Sequence, residues 1–395
     1  MRQVSQRAQA VRPSATLQAS QRARDLQASG IDVINLGLGQ PDFPTPAPIK
    51  AATVQAINAD QVDGYTATPG IAPLRQAVAD RMAATQNVRV TADQVVVTTG
   101  AKMALYTLFQ VLLNPGDQVL LPAPYWVSYA EQVKLAGGTP VDVAPTASLK
   151  VTSAQLEAAV TPKTVAIVLN SPQNPSGLVY TAEELQAIGD WAVQHDLWIV
   201  ADEIYGDLVY DQAAPVPSML TLDQTIVDHT IVINGVSKTY AMTGWRIGWA
   251  IGPVDLMTTM TRALSHMTGN TAAVSQAAAV AALTQDQAPV GEMKRHFQER
   301  LDTVYPLVTA LQGFELVHKP QGAFYLFPDV AQAMALKHCA TTEDFVNRIL
   351  DEAHVAVVAG EAFGLPHHLR ISYATDLVTL REALARLATF MKTTD

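Results

Sequence analysis

The residues able to do chemistry stand at the ends of short apolar runs. Ile231-Val232-Ile233 leads into Asn234-Gly235-Val236-Ser237-Lys238, with Thr243-Gly244-Trp245-Arg246 a few residues on. A lysine set directly after a buried strand loses hydration, which disfavours the ammonium, so Lys238 is poised as a neutral amine able to form a Schiff base with a carbonyl. The plainer alternative is a loop lysine with its stem on apolar surface and its head in water. Ser237 and Arg246 add a hydroxyl and a guanidinium, donors suited to a phosphate monoester. Val200-Ala201 runs into Asp202-Glu203-Ile204-Tyr205, where Asp202 needs a cation or hydrogen-bond donors to be tolerated, as a functional acid or as a cap or ion-pair acid. Asn170-Ser171-Pro172-Gln173-Asn174-Pro175-Ser176-Gly177 closes another run; it is a rigid turn that would mount one amide, Asn174. Thr99-Gly100-Ala101-Lys102 opens a helix whose first N–H groups suit an anion, and Trp126 offers a flat face or ordinary core packing.

Elements of the right type surround these loops. Runs at 95–97, 118–121, 140–143, 165–169, 198–201, 231–233 and 247–249 are apolar on consecutive positions, as strands buried on both faces should be. Helical patterns lie between them, at 101–113 and at 182–195, the latter with a capping box from Thr181 to Glu184. This alternation predicts an α/β fold with a mostly parallel central sheet, whose ligands bind beyond the carboxyl ends of the strands. From about Pro289 the texture changes to a charged helix at 292–311, strands at 314–317, 323–327, 355–358 and 370–373, a helix near 342–354 and a final helix, read as a smaller α+β domain. The expected division is an N-terminal arm with part of the small domain at 1–44, a large domain at 45–290 and a small domain at 291–395.

Composition narrows the function. The chain has 395 residues, 49% hydrophobic and 16% charged, with 22 Gly and 23 Pro, a globular balance. Its net charge of −10 opposes general binding to nucleic acid. One cysteine, Cys339, permits no intrachain disulfide or cysteine metal cluster and fits the cytoplasm, the expected location. The Ala-rich stretch 271–283 is too short to span a membrane. Arg2, Arg7, Arg12, Arg22 and Arg24 precede the first acid, Asp25, which superficially matches a transit peptide; an arm packed on the fold is the preferred reading.

The chain carries Gly37-Leu38-Gly39-Gln40-Pro41-Asp42-Phe43, Asn174-Pro175-Ser176-Gly177, Asp202-Glu203-Ile204-Tyr205, and Ser237-Lys238 with Met242-Thr243-Gly244-Trp245-Arg246-Ile247-Gly248, in that order. Together the motifs resemble the pyridoxal-phosphate aminotransferases of fold type I, class I, over essentially the whole sequence. Pro13-Ser14-Ala15-Thr16, Tyr125-Trp126-Val127-Ser128-Tyr129 and Leu369-Arg370-Ile371-Ser372-Tyr373 resemble the bacterial aspartate aminotransferase subgroup Ib. The resemblance implies that Lys238 holds the cofactor and then moves a proton between Cα and the C4′ carbon, and that Asp202 pairs with the pyridine nitrogen. Asn174 and Tyr205 would meet the phenolic oxygen and Trp126 the ring. Gly100, Ala101, Lys102, Ser237 and Arg246 would hold the phosphate, with Tyr65 from a second subunit of a homodimer. Arg370 would take the substrate α-carboxylate as a bidentate fork, helped by Gly39, Asn174 and Trp126.

Lys102, with Ser14 and Thr16, would read the distal carboxylate of aspartate or glutamate; relatives acting on aromatic amino acids, prephenate or acylated diaminopimelate keep those alternatives open. Ser176, Gln40 and Ala130 replace the commoner Thr, Glu and Pro, and Gln40 touches substrate-side detail. A fold-type-I lyase of sulfur amino acids is a further alternative. A dinucleotide oxidoreductase is disfavoured because Gly37-Leu38-Gly39 runs into Pro41-Asp42 rather than a helix. A cofactor-sensing DNA-binding regulator lacks a basic face, and His367-His368 fits no metal motif.

Overall fold

A computed structural model describes residues 4–210 and 216–393; Arg2 lies outside the described residues. Seven strands form the central sheet in the order Val95–Thr98, Gly248–Ile251, Thr230–Gly235, Trp198–Asp202, Thr164–Asn170, Gln118–Pro122 and Thr139–Val143. All seven strands expected from the apolar runs are present. Gly248–Ile251 runs antiparallel to both neighbours, while the pairs among the other five contiguous strands are parallel. A parallel return would need a crossover helix, and the connection from Gly235 to Gly248 holds only the turns Val236–Thr239 and Thr243–Trp245.

Side chains alternate across this sheet with the two-residue period of a strand. Ile199, Ala201 and Val232 point into one core, and Val200, Ile231 and Ile233 into the core on the opposite face. Helices including Ala101–Leu112 and Ala182–Gln194 cover the faces. The second begins as expected: Glu184 N donates to Thr181 Oγ1 at 3.2 Å and Thr181 N to Glu184 Oε2 at 2.8 Å.

The register fixes the functional edge. Asn170 pairs with Asp202, Asp202 with Ile233, and Gly248 with both Gly235 and Thr98. Six carboxyl ends therefore open on one side, carrying the segments after Thr98, Pro122, Val143, Asn170, Asp202 and Gly235.

A further core gathers helices Ala288–Thr309 and Leu377–Lys392 with the strands Tyr325–Leu326 and Leu369–Ser372, whose antiparallel sheet is completed by Val358–Ala359. Ile34–Asn35 pairs in parallel with Val355–Ala356, tying the N-terminal segment to this region. Two expectations are corrected here. The run 314–317 forms no strand: Phe314 is buried but Val317 is exposed, and Glu315 makes only an isolated bridge to Asp329. The single helix expected near 342–354 is Thr342–Arg348 followed by a wider π-type turn, Ile349–Ala353, which ends where His354 takes a left-handed φ of 55°.

Candidate active site

The strand-end segments enclose a cavity of about 360 Å³, in the range of small-molecule and cofactor sites. Ser14, Thr16, Gly39, Ala101, Lys102, Trp126, Asn174, Asp202, Tyr205, Ser237, Lys238, Arg246 and Arg370 all line it. Gly100 adjoins through its contact with Arg246. Of the residues expected from sequence, only Tyr65 stands apart: its side chain is fully exposed and does not reach this cavity.

Lys238 rises from the turn Val236–Thr239 and donates from Nζ to the Gly39 carbonyl at 2.5 Å. Burial, with the charges of Arg370 and Arg246 added, brings its pKa down to about 7, so the neutral amine is far more accessible than in an ordinary lysine. Asp202 terminates its strand with the carboxylate buried, Oδ2 accepting from Tyr129 at 2.6 Å and Oδ1 from Ile204 N at 3.2 Å. Burial raises it to about 6, opposed by those two hydrogen bonds and by Lys238; at neutral pH it is largely an anion.

Asn170 closes the adjacent strand and joins two loops. Its Nδ2 donates to the Asp202 carbonyl at 2.8 Å, and its Oδ1 accepts from Asn174 N at 2.7 Å. Asn174 Oδ1 in turn accepts from Arg370 Nη1 at 3.0 Å, leaving its Nδ2 hydrogens as donors for a ligand. Arg370 is buried at 2% exposure, with Nη2 on the Gly37 carbonyl at 2.8 Å and its guanidinium 4.4 Å from the Tyr325 ring centroid. Its Nε is buried with no hydrogen-bond partner. A buried donor left unsatisfied is costly, and an anionic ligand beside it relieves that cost. Tyr205 and Tyr325 share a hydroxyl hydrogen bond of 2.9 Å.

The turn at Gly100 is built by close approach. Gly100 has φ +79°, and a Cβ there would lie 2.4 Å from Arg246 Nη2. Gly248 lies against the same turn, since its Cβ would fall 2.2 Å from Ala101 N. Arg246 itself sits at a left-handed φ of 58°, an uncommon conformation for a residue with a side chain. Lys102 Nζ lies 4.8 Å from the Trp126 ring centroid, and burial and Arg246 both lower its pKa.

Tyr325, Tyr129, Asn170 and Gly248 were not singled out from sequence. Tyr325 lies in the run Ala323-Phe324-Tyr325-Leu326-Phe327, where an aromatic reads as core. Asn170 stood within a motif whose interest was Asn174; the signal available was a second amide at the very end of the strand. Gly248 closes a strand pairing that only the antiparallel return reveals.

One cavity thus holds a lysine amine, a buried carboxylate, a buried arginine and a glycine turn packed against a second arginine, within a sheet architecture of the fold type I class. A family model described as aminotransferase class I and II matches residues 31–387. The chain is 46% identical over 394 residues to an asparagine–oxo-acid transaminase of Streptococcus mutans serotype c, covering 99% of this chain and 100% of that one. It is also 46% identical over 391 residues to an aspartate aminotransferase of Geobacillus stearothermophilus, covering 98% and 99%. The solved aspartate aminotransferase of Rhizobium meliloti superposes with a TM-score of 0.94 at 38% identity, covering 99% of both chains. That of Thermus thermophilus with maleate gives 0.91 at 38% identity, covering 98% and 100%. The chain belongs to the class I and II aminotransferases and is a pyridoxal-phosphate-dependent transaminase.

Proposed function

We propose that this chain is an aspartate aminotransferase, moving the amino group of L-aspartate to 2-oxoglutarate to give oxaloacetate and L-glutamate. The observation that carries the substrate choice is that, besides Lys238 and the Arg246 of the cradle, the same cavity is lined by two further basic residues, Arg370 and Lys102. A dicarboxylic amino acid presents one carboxylate to each.

The residues fit pyridoxal phosphate: a glycine cradle beside Arg246, an unpartnered buried Arg370 Nε, a near-neutral amine and a buried carboxylate in one cavity. Bound there, the cofactor supplies an electron sink for the bonds at the substrate Cα. In this reading the backbone of Gly100, Ala101 and Lys102, with Ser237 and Arg246, holds the phosphate, Trp126 covers the ring, and Asn174 and Tyr205 donate to the phenolic oxygen. Asp202 keeps the ring nitrogen protonated. Arg370 fixes the α-carboxylate with the help of Gly39, which turns the Cα–H toward Lys238. Lys238 Nζ then takes the Cα proton. A pre-positioned amine replaces a bimolecular proton transfer, an advantage of up to about 7–11 kcal/mol in well-oriented cases.

Ser14 Oγ and Thr16 Oγ1 stand 3.0 Å apart on the cavity wall, and with Lys102 they are proposed to read the distal group. Lys102→Ser is expected to raise KM for aspartate about tenfold, the scale of one charged hydrogen bond, and to leave KM for phenylalanine nearly unchanged. Steady-state assays with both substrates decide this; equal changes would remove Lys102 from substrate recognition. Asparagine, the substrate named for the Streptococcus mutans relative, belongs in the same assay. Its carboxamide gains no charge pairing from Lys102, so aspartate is expected to be preferred.

The active unit in this reading is a homodimer with shared sites, each receiving Tyr65 from the other subunit. The full exposure of Tyr65 outside its own cavity supports it. Among the described residues no helix is long and apolar enough to cross a membrane. The cytoplasm is the compartment assigned, with the single cysteine in its favour.

A further inference from the structure

Tyr129 belongs to the helix Ser128–Leu135, and its hydroxyl reaches Asp202 Oδ2 at 2.6 Å. The side chain is 1% exposed, with the Trp126 ring edge-on at 5.4 Å and 81°. Burial holds its phenol well above the usual range, so it remains a donor at any working pH.

The other titratable groups around Asp202 do not duplicate this contact. Lys238 acts on it only through its charge, since its Nζ is on the Gly39 carbonyl. Tyr205 is engaged with Tyr325. Glu203 turns to Ser218 Oγ and Met219 N at 2.9 and 3.0 Å. Among the described residues Tyr129 is the one side chain that donates to the Asp202 carboxylate.

A donor to a carboxylate stabilises its anion and makes it a weaker proton acceptor, whereas burial alone favours the neutral acid. A carboxylate has about four lone-pair sites, so Tyr129 and Ile204 leave room for a ring nitrogen. We propose that Tyr129 is a positioning residue of the transamination site: by donating to Asp202 Oδ2 it keeps the proton shared by that carboxylate and the cofactor on the ring nitrogen. Without the hydroxyl the proton moves onto Asp202, leaving a neutral pyridine that withdraws electrons less strongly. This rests on the pyridoxal phosphate reading of the site.

The test is nitrogen NMR of the holoenzyme loaded with pyridoxal phosphate labelled at the ring nitrogen. The unsubstituted protein is expected to show the pyridinium shift. Tyr129→Phe and, as a second variant without a donor, Tyr129→Met should move it toward unprotonated pyridine, while Tyr129→His, which keeps a donor, should hold it. In parallel, the apoenzyme is expected to prefer pyridoxal phosphate about tenfold over an analogue with CH in place of the ring nitrogen, as one charge-assisted hydrogen bond provides. The Phe variant should reduce that preference rather than weaken both ligands alike. An unchanged nitrogen shift in both donor-free variants, or an equal loss of affinity for both ligands, overturns the role of Tyr129 and leaves the cofactor reading intact. A wild-type protein that takes up no pyridoxal phosphate overturns both.

Discussion

Lys238→Ala is expected to lower turnover at least about 10⁴-fold, the upper end of what a positioned acid–base group contributes. The loss is expected to exceed that of any other single substitution because in the proposed mechanism Lys238 both secures the cofactor and takes the Cα proton, and Lys102 is not placed for both tasks. Lys102, the other lysine in the cavity, lies against Trp126, beside the cradle. The phosphate cradle is untouched by the substitution, so pyridoxal phosphate should still bind, with the visible absorption of the free aldehyde in place of that of the lysine-bound form. The unsubstituted lysine also sets a pH dependence. Its pKa is lowered to about 7, and the neutral amine is the nucleophile, so cofactor capture by the apoprotein accelerates as pH rises through about 7 rather than through the ordinary lysine range near 10. Stopped-flow absorbance reads both effects. Normal activity in Lys238→Ala would remove the residue from catalysis.

Asp202→Asn is expected to reduce kcat by about 10²- to 10³-fold, the range for loss of one preorganised electrostatic partner, with a much smaller change in KM. Asparagine preserves volume and can still accept from Tyr129, so the strand end and the Asn170 contact to the Asp202 carbonyl should survive. What is lost is the negative charge proposed to hold a proton on the ring nitrogen. Burial raises Asp202 to about 6 in the empty site, and a protonated ring nitrogen beside it would favour the anion, so acid is expected to reduce activity only at pH values below that one, where the carboxylate is neutralised. A KM effect as large as the kcat effect would instead make Asp202 a binding residue.

Much of this site was legible before any coordinates. Lys238, Asp202 and Asn174 stand at the ends of apolar runs, where polar residues are costly, yet each also has a plain structural reading, and it is the family motifs around them that single them out. The seven strands follow from consecutive apolar positions, since a strand covered on both faces has no polar side to confuse the pattern. Three kinds of feature were not legible. Tyr129 and Tyr325 are aromatics in apolar surroundings, and only the position of the hydroxyl separates a packing ring from a polar contact. Gly248 matters because Ala101 N approaches it across the sheet, a relation set by pairing rather than by nearby sequence. The run 314–317 contains strand-forming residues without a neighbouring strand to complete the ladder, so local propensity was overridden by tertiary context.

Arg370 also differs from a simple picture of a waiting fork. Its two terminal nitrogens already rest on Asn174 Oδ1 and the Gly37 carbonyl. The arginine is thus oriented before substrate arrives, and it needs only to exchange or share those contacts when a carboxylate enters. This preorganisation reduces the ordering cost of binding.

The most direct test of the central claim is the absorption spectrum of the purified protein with pyridoxal phosphate, recorded before and after L-aspartate and, separately, after L-phenylalanine, with no oxo acid present. Transamination with a preference for acidic substrates predicts that the cofactor band gives way to that of pyridoxamine phosphate promptly with aspartate and slowly with phenylalanine. A band that stays unchanged with aspartate, or that responds equally to phenylalanine, would contradict the aspartate aminotransferase assignment.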